Sequence, residues 1–370
     1  MAEKRPYRVI ISGGGTGGHI YPAIAIANAI KEKQPDAEIL FVGAKDRMEM
    51  EKVPAAGYKI EGLWISGIQR RLTIDNLLFP VKVLSSIWNA SSIVRKFKPD
   101  VAVGVGGYAS WPLLFSASLF NVPTVIQEQN SYAGVTNKFL AKNARKIFVA
   151  YDNMDKFFPG DKLVLAGNPV RKDILDYKSK RAEALKEFGL QDGVPVLMVM
   201  GGSLGARTIN ESILNDIKKI TAAGIQVVWQ TGKFYHQKVK AEAEKEGNAK
   251  IKVHEFLYKM DLAYAAADVV VSRAGALSIS ELCLVGKPVI LVPSPNVAED
   301  HQTKNALALV EKNAAIMIKD SESRAKLVDE ALKLMKNDNK KRELGDNILK
   351  LGKPDAANTI ASEILKLIKN

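Results

Sequence analysis

Two stretches of this chain are built alike. Residues 9–30 read VIISGGGTGGHIYPAIAIANAI and residues 196–214 read VLMVMGGSLGARTINESIL. Each is an apolar run that stops at a cluster of glycines and continues as a helical pattern. A short run without polar alternation belongs to a strand covered on both faces, as in a parallel sheet. Such runs alternate with helical stretches along the chain, at 7–12, 38–43, 101–105, 123–127, 146–150 and 163–166. They resume at 194–200, 225–230, 250–254, 269–272, 288–292 and 315–318. This alternation gives parallel sheets with helices on both faces, and its double occurrence predicts an α/β chain of two doubly wound domains. Gly167, Asn168 and Pro169 mark the junction. Gly352 and Pro354 stop one helix, and Asp355 opens a last amphipathic one over 356–369.

With 370 residues there is room for two ordinary domains. The single cysteine, Cys283, excludes a disulfide framework and fits a reducing compartment. Lys4 and Arg5 are followed by an apolar run of only three residues, 9–11, too short for a secretory signal, so the chain reads as cytosolic. Residues 101–127 carry no charge and are long enough to cross a bilayer. Gly104, Gly106, Gly107, Pro112, Asn121 and Pro123 divide them, however, into strand, turn, helix and strand. The net charge of +13 attracts polyanions. Its lysines and arginines are scattered and paired with acids, without an aromatic-interleaved basic motif, which argues against nucleic acid and for an anionic membrane or phosphorylated substrates.

Gly13, Gly15 and Gly18 form a GxGxxG between strand and helix, where backbone N–H groups and a helix N-terminus can approach phosphate. The nicotinamide reading also needs an acid at the end of the second strand, and that strand ends in Gly43–Ala44. Lys45 and Arg47 could meet a 2′-phosphate, so an NAD(P)-dependent oxidoreductase stays as an alternative, as does a glycine turn that only packs strand on helix. His19 follows the loop, in the first helical turn, where the helix dipole disfavours imidazolium and favours a ring able to accept a proton. No two aspartates lie two apart, so a diphosphate leaving group would rely on helix N-termini, hydroxyls and arginine. Arg171 and Ser203, the latter either a ligand group or an N-cap, are candidates. Glu281, one turn inside a predicted helix, could grip a ribose diol.

GGGTGGHIYPAIAIA, GVGGYASWP, QEQNSYAGVTNK, GNPVR, GGSLGAR, SRAGALSISE and AEDHQTKNA occur in that order. Over nearly its whole length the chain resembles the bacterial peptidoglycan glycosyltransferases that add N-acetylglucosamine to lipid-linked muramyl-pentapeptide. The resemblance implies a GT-B fold: two Rossmann-like domains with parallel sheets facing a central cleft. It implies an acceptor- and membrane-binding domain over 1–170 plus 353–370 and a donor-binding domain over 171–352. The reaction would be inverting transfer from UDP-N-acetylglucosamine to the 4-hydroxyl of undecaprenyl-diphosphate-linked muramyl-pentapeptide, with no metal and no cofactor. A GT-B enzyme acting on another lipid or small acceptor is the alternative within the fold.

Carried over by position, the resemblance sets Thr16, Gly17 and Gly18 against the donor sugar and diphosphate, with His19 or Glu128 as the base. Asn130 would contact the sugar, Arg171 and Ser203 the diphosphate or ribose region, and Leu257 the uracil. Ala276, Leu277, Ser278, Ile279, Ser280 and Glu281 resemble the helix start that cradles phosphates and ribose. Gln302 would bind sugar hydroxyls and Tyr108 would line the acceptor pocket. Many relatives have His-Glu-Gln-Asn where this chain has Gln127–Glu128–Gln129–Asn130, so no histidine acts there. A polyprenyl acceptor places the enzyme on the cytoplasmic face of the inner membrane, peripherally, with cell-wall and division proteins as further partners. The apolar stretch 74–94, flanked by Arg70, Arg71, Arg95, Lys96 and Lys98, suits an anionic interface. Leu77, Leu78, Phe79 and Trp88 are its candidate inserted residues, although a helix packed on the sheet would account for its second half.

Overall fold

The computed structural model describes residues 5–67, 78–171, 173–246 and 250–369, which fall into two compact units. One comprises Met1–Val170 with Asp355–Asn370, the other Arg171–Pro354.

The N-terminal unit holds β1 (Arg8–Gly13), β2 (Glu38–Ala44), β3 (Lys59–Leu63), β4 (Val101–Gly106), β5 (Thr124–Glu128), β6 (Lys146–Val149) and β7 (Leu163–Leu165). All pair in parallel, in the order β3-β2-β1-β4-β5-β6-β7. The unalternating run of β1 explains its central place. Val9 and Ile11 are buried in one layer with helix Gly17–Lys33, and Ile10 is buried in the opposite layer with helix Ser110–Leu119. Fully burying one such side chain contributes about 1.5–3 kcal/mol. Ile360, Ala361, Ile364 and Leu365 bring the last helix, Ala356–Lys369, into the first layer.

The strand β3 has no counterpart in the sequence reading. It is an edge strand of five residues, KIEGL, with Lys59 and Glu61 exposed, so its apolar signal shrinks to Ile60 and Leu63. Edge strands need only one covered flank, and charge there guards against strand addition.

The C-terminal unit holds β8 (Val196–Met200), β9 (Gln226–Gln230), β10 (Ile251–His254), β11 (Val269–Ser272), β12 (Val289–Leu291) and β13 (Ile316–Met317). Its parallel order is β10-β9-β8-β11-β12-β13. In both units the first strand sits inside the sheet with the order reversing beside it, β1/β4 and β8/β11. That reversal opens a crevice at the carboxyl ends of the strands, where ligands of open α/β sheets bind.

Candidate active site

In the N-terminal unit the turn after β1 delivers His19 as the third residue of helix Gly17–Lys33, which starts at Thr16 without a side-chain cap and without an acid in its first turn. The His19 Nδ1 lies 2.9 Å from the Gly14 carbonyl oxygen. A carbonyl only accepts, so Nδ1 carries the proton and Nε2 of the neutral ring carries the lone pair. The turn is held from β4 as well, where Gly14 N–H donates to the Gly106 carbonyl at 3.2 Å. A Cβ on Gly106 would lie 2.6 Å from the imidazole, and one on Gly107 2.5 Å from the Gly14 oxygen. Two glycines at positive φ (+109° and +92°) let β4 end against the histidine turn.

Glu128 ends β5 with 2% exposure, and both its oxygens are occupied. Oε1 accepts from Asn130 N–H (3.0 Å) and Asn130 Nδ2 (3.2 Å); Oε2 accepts from Gly134 N–H (3.0 Å) and Asn137 Nδ2 (2.9 Å). The carboxylate ties the loop 129–134 together, and part of the Asn130 amide is spent on it. Tyr108, half exposed, lays its ring against Gly67.

In the C-terminal unit a cavity of about 520 Å³ opens at the strand ends. Arg171, Ser203, Leu277, Ser278, Glu281 and Gln302 line it, so one site gathers six residues spread over 130 positions of sequence. Helix Ala276–Val285 points its first turn there, with Gly275 as its cap, no side-chain cap bond and no acid in the first turn. Its leading N–H groups are the orphan donors of any helix start, an anion site by construction. Ser203 is not a cap, because helix Arg207–Asn215 begins at Ala206. Leu257 and Ile279 are both buried; neither lines the cavity. The Leu257 N–H donates to Gln230 Oε1 at 2.9 Å. Ala276 and Ser280 belong to the same helix, Ser280 turning its hydroxyl back to the Ala276 carbonyl at 3.0 Å. Gln302 Oε1 accepts from Ser294 N–H at 2.9 Å.

Glu281 is held from two sides in the cavity wall. Arg171 Nε lies 3.2 Å from Oε1, and the Tyr264 hydroxyl donates to Oε2 at 3.1 Å. Burial raises its carboxyl above the ordinary range, while Arg171 and the Tyr264 bond pull it back. Each oxygen keeps a second lone pair, which matches two adjacent hydroxyls.

The profile of the glycosyltransferase family 28 N-terminal domain matches residues 9–149, and that of the family 28 C-terminal domain residues 196–360. The chain belongs to glycosyltransferase family 28. Two curated relatives of this family 28 chain share the name UDP-N-acetylglucosamine–N-acetylmuramyl-(pentapeptide) pyrophosphoryl-undecaprenol N-acetylglucosamine transferase. The one from Cytophaga hutchinsonii is 63% identical over 368 residues (100% of this chain, 99% of the relative). The one from Parabacteroides distasonis is 57% identical over 364 residues, 98% of this chain and 99% of the relative. Among solved structures, MurG from Acinetobacter baumannii matches with a TM-score of 0.80 and 27% identity, over 98% of this chain and 100% of that one. The family 28 chain is thus a glycosyltransferase built of two Rossmann-like units of the GT-B type.

Several residues of the glycosyltransferase's cavity wall have partners that the sequence does not reveal. Arg273 bonds Asp320 (2.5 Å) and the carbonyls of Val292 and Pro293 (3.0 and 3.1 Å). Asp320 in turn accepts from the Thr208 hydroxyl at 2.8 Å. Arg273 falls inside a recognised motif, but its partner lies 47 positions away, beyond any local pattern. Helix Phe79–Phe97 packs inward through Lys82, Ser86, Ala90 and Val94. Lys82, which breaks the apolar run in the sequence, is the buried residue; it reaches Ser66 Oγ at 3.2 Å and lies over the Trp64 ring. The outer face carries Val81, Leu84 (69% exposed) and Trp88 (74%). Leu78 is exposed and Phe79 partly so, while Leu77 lies outside the described residues. Among the described residues no helix is long and apolar enough to cross a membrane.

Proposed function

We propose that this family 28 enzyme moves N-acetylglucosamine from UDP to the 4-hydroxyl of undecaprenyl-diphosphate-linked N-acetylmuramyl-pentapeptide, inverting the anomeric centre, with His19 as general base. The observation that carries the substrates is the 63% identity, over the full length, to a relative named for that reaction. The acceptor O–H loses its proton to His19 Nε2 as its oxygen attacks the anomeric carbon, and the bond from that carbon to the diphosphate oxygen breaks. The choice of His19 over Glu128 rests on hydrogen bonding: the histidine's Nδ1–H is committed and its Nε2 is the basic atom, whereas Glu128 already accepts four N–H bonds. A positioned base of this kind is worth ~10²–10⁴ in rate.

The cavity of the C-terminal unit takes the donor. The uncapped start of helix Ala276–Val285, running Ala276, Leu277, Ser278, Ile279, receives the diphosphate with Arg171 and Ser203. Glu281 takes the ribose diol, the backbone at Leu257 the uracil, and Gln302 the sugar hydroxyls. From the N-terminal unit, Thr16, Gly17, Gly18 and Asn130 serve the sugar and diphosphate, and Tyr108 the acceptor. The outward face of helix Phe79–Phe97, with Leu78, Val81, Leu84 and Trp88 apolar and Arg95 and Lys96 in the last turn, lies on an anionic bilayer at the cytoplasmic face of the inner membrane. Cell-wall and division proteins are the partners expected there.

Release of UDP with EDTA present tests the reading. It should require muramyl-lipid, persist under chelation and be absent with unrelated lipid acceptors. Activity abolished by EDTA and restored by manganese would refute the metal-free departure. Loss of anionic-vesicle binding in the double variant Leu84→Ser, Trp88→Ser is expected, and unchanged binding would remove that face from the account.

A further inference from the structure

Behind His19 stands a carboxylate that none of the recognised motifs contains. Glu49, first residue of helix Glu49–Ala55, is 1% exposed. Its Oε1 accepts from Ala44 N–H at 3.0 Å, at the end of β2, and its Oε2 from Gly15 N–H at 2.9 Å. Two glycines make room for it. A Cβ on Gly14 would lie 2.2 Å from Glu49 Oε1, and one on Gly43 2.6 Å from its Cγ. Burying a carboxylate against amide donors alone is costly.

The Gly15 N–H and the Gly14 C=O belong to one peptide group. On one side that group donates to Glu49, and on the other it accepts from His19 Nδ1–H at 2.9 Å. We propose that Glu49 is a positioning residue for the base, acting on His19 through the Gly14–Gly15 peptide. Hydrogen bonds in a chain polarise one another: donation to a carboxylate makes the carbonyl at the other end of the amide a stronger acceptor. The stronger acceptor fixes the Nδ1–H tautomer and favours the imidazolium formed once Nε2 has taken the acceptor's proton. A carboxylate, a peptide and an imidazole thus do in series what a carboxylate bonded directly to an imidazole does in one step.

The inference rests on His19 as the base, and the experiment separates the two. Glu49→Gln keeps the shape and removes the charge. Lys45, Asp46 and Arg47, exposed on the turn before Glu49, and Tyr21, further along the His19 helix, are unchanged in it. The His19 titration is read by imidazole nitrogen NMR, with His19→Ala assigning the signal among four histidines. In Glu49→Gln the imidazole pKa should fall by about half a unit to one unit. Turnover should fall roughly tenfold, with KM for UDP-N-acetylglucosamine unchanged and no further loss in the His19→Ala background. An unshifted imidazole in folded Glu49→Gln, or losses that simply multiply, overturns the relay. If Glu49→Gln does not fold, the wild type answers: the Gly15 amide proton must move as His19 titrates, and a Gly15 signal that ignores His19 overturns the proposal. Normal turnover in His19→Ala would reject the base while leaving the NMR result to judge the coupling.

Discussion

The two glycine turns that look interchangeable in the sequence are finished in opposite ways. The turn after β1 is closed on itself. Glu49 fills its concavity, Gly106 and Gly107 press on it from β4, and its Gly14 carbonyl is spent on His19. The turn after β8 is open. A Cβ on Gly202 would meet nothing within 4 Å, Ser203 is exposed, and the loop lines a cavity. Where the backbone amides are satisfied internally, a glycine turn holds a side chain in place. Where they face a cavity, the same motif can hold an anion. The difference lies in what the neighbouring elements bring, a buried carboxylate in one case and another helix start in the other.

The hardest test of this division is His19→Ala. If the closed turn exists to present a base, turnover should drop by ~10²–10⁴, while UDP affinity, measured by calorimetry, stays within about twofold of the wild type. A comparable loss of UDP affinity would mean that the imidazole itself holds the nucleotide, and a role confined to proton transfer would fail.

A pair of glycine substitutions compares the packing at the two turns: Gly107, which presses on the closed turn from the end of β4, and Gly202 inside the open one. Gly107 and Gly202 both have positive φ, +92° and +85°, so alanine is strained at either by about 1 kcal/mol. Only Gly107→Ala adds a clash, with its Cβ 2.5 Å from the backbone oxygen of Gly14, which cannot swing aside. Gly107→Ala should lower the thermal midpoint by clearly more than Gly202→Ala and reduce turnover at least tenfold. Equal midpoints would show that the first turn is less tightly held than its contacts indicate.

Much of this architecture is legible in the sequence because burial on both faces leaves an unmistakable mark. The runs at β1, β4, β8 and β11 read as strands, and they stand at the centres of the two sheets. The terminal helix reads correctly from Gly352, Pro354 and Asp355, since capping and breaking are local. What stays hidden depends on distant partners. Glu49 looks like an ordinary acid at a helix start until Gly14 and Gly43 are seen to be shaped around it. Arg273 gains its meaning from Asp320, and Lys82, which only interrupts an apolar run in the sequence, is buried on Trp64. The candidate residues of the C-terminal cavity lie in separate stretches of sequence and meet only across the carboxyl edge of one sheet, so no single spacing marks them.

The open turn's cavity carries its own signature in pH. Burial holds the Glu281 carboxyl above its usual range. In the free protein it therefore takes up a proton at a higher pH than an exposed glutamate would. A ribose diol needs the carboxylate as acceptor, so UDP affinity should weaken on acidification, beginning above the ordinary glutamate value of about 4.3. Glu281→Gln should bind UDP about tenfold more weakly at neutral pH and show a flatter profile. Binding of 2′,3′-dideoxyuridine diphosphate should be indifferent to the substitution. A steep acid profile that survives in Glu281→Gln would assign it to another group.

The smallest effect separates side chain from backbone in the open turn. Ser203 caps no helix, since helix Arg207–Asn215 starts from Ala206, and the Ser203 carbonyl is already used by Lys233 N–H at 3.2 Å. Removing the hydroxyl should leave stability within about 0.5 kcal/mol. If the hydroxyl meets a phosphate oxygen, one hydrogen bond to a charged group is lost, and UDP affinity should fall by roughly fivefold to tenfold. Uridine, which has no phosphate, should bind Ser203→Ala and wild type alike. Unchanged UDP affinity would leave the amides of the turn and the start of helix Ala276–Val285 as the whole anion site. The open turn would then work, like the closed one, through its backbone alone.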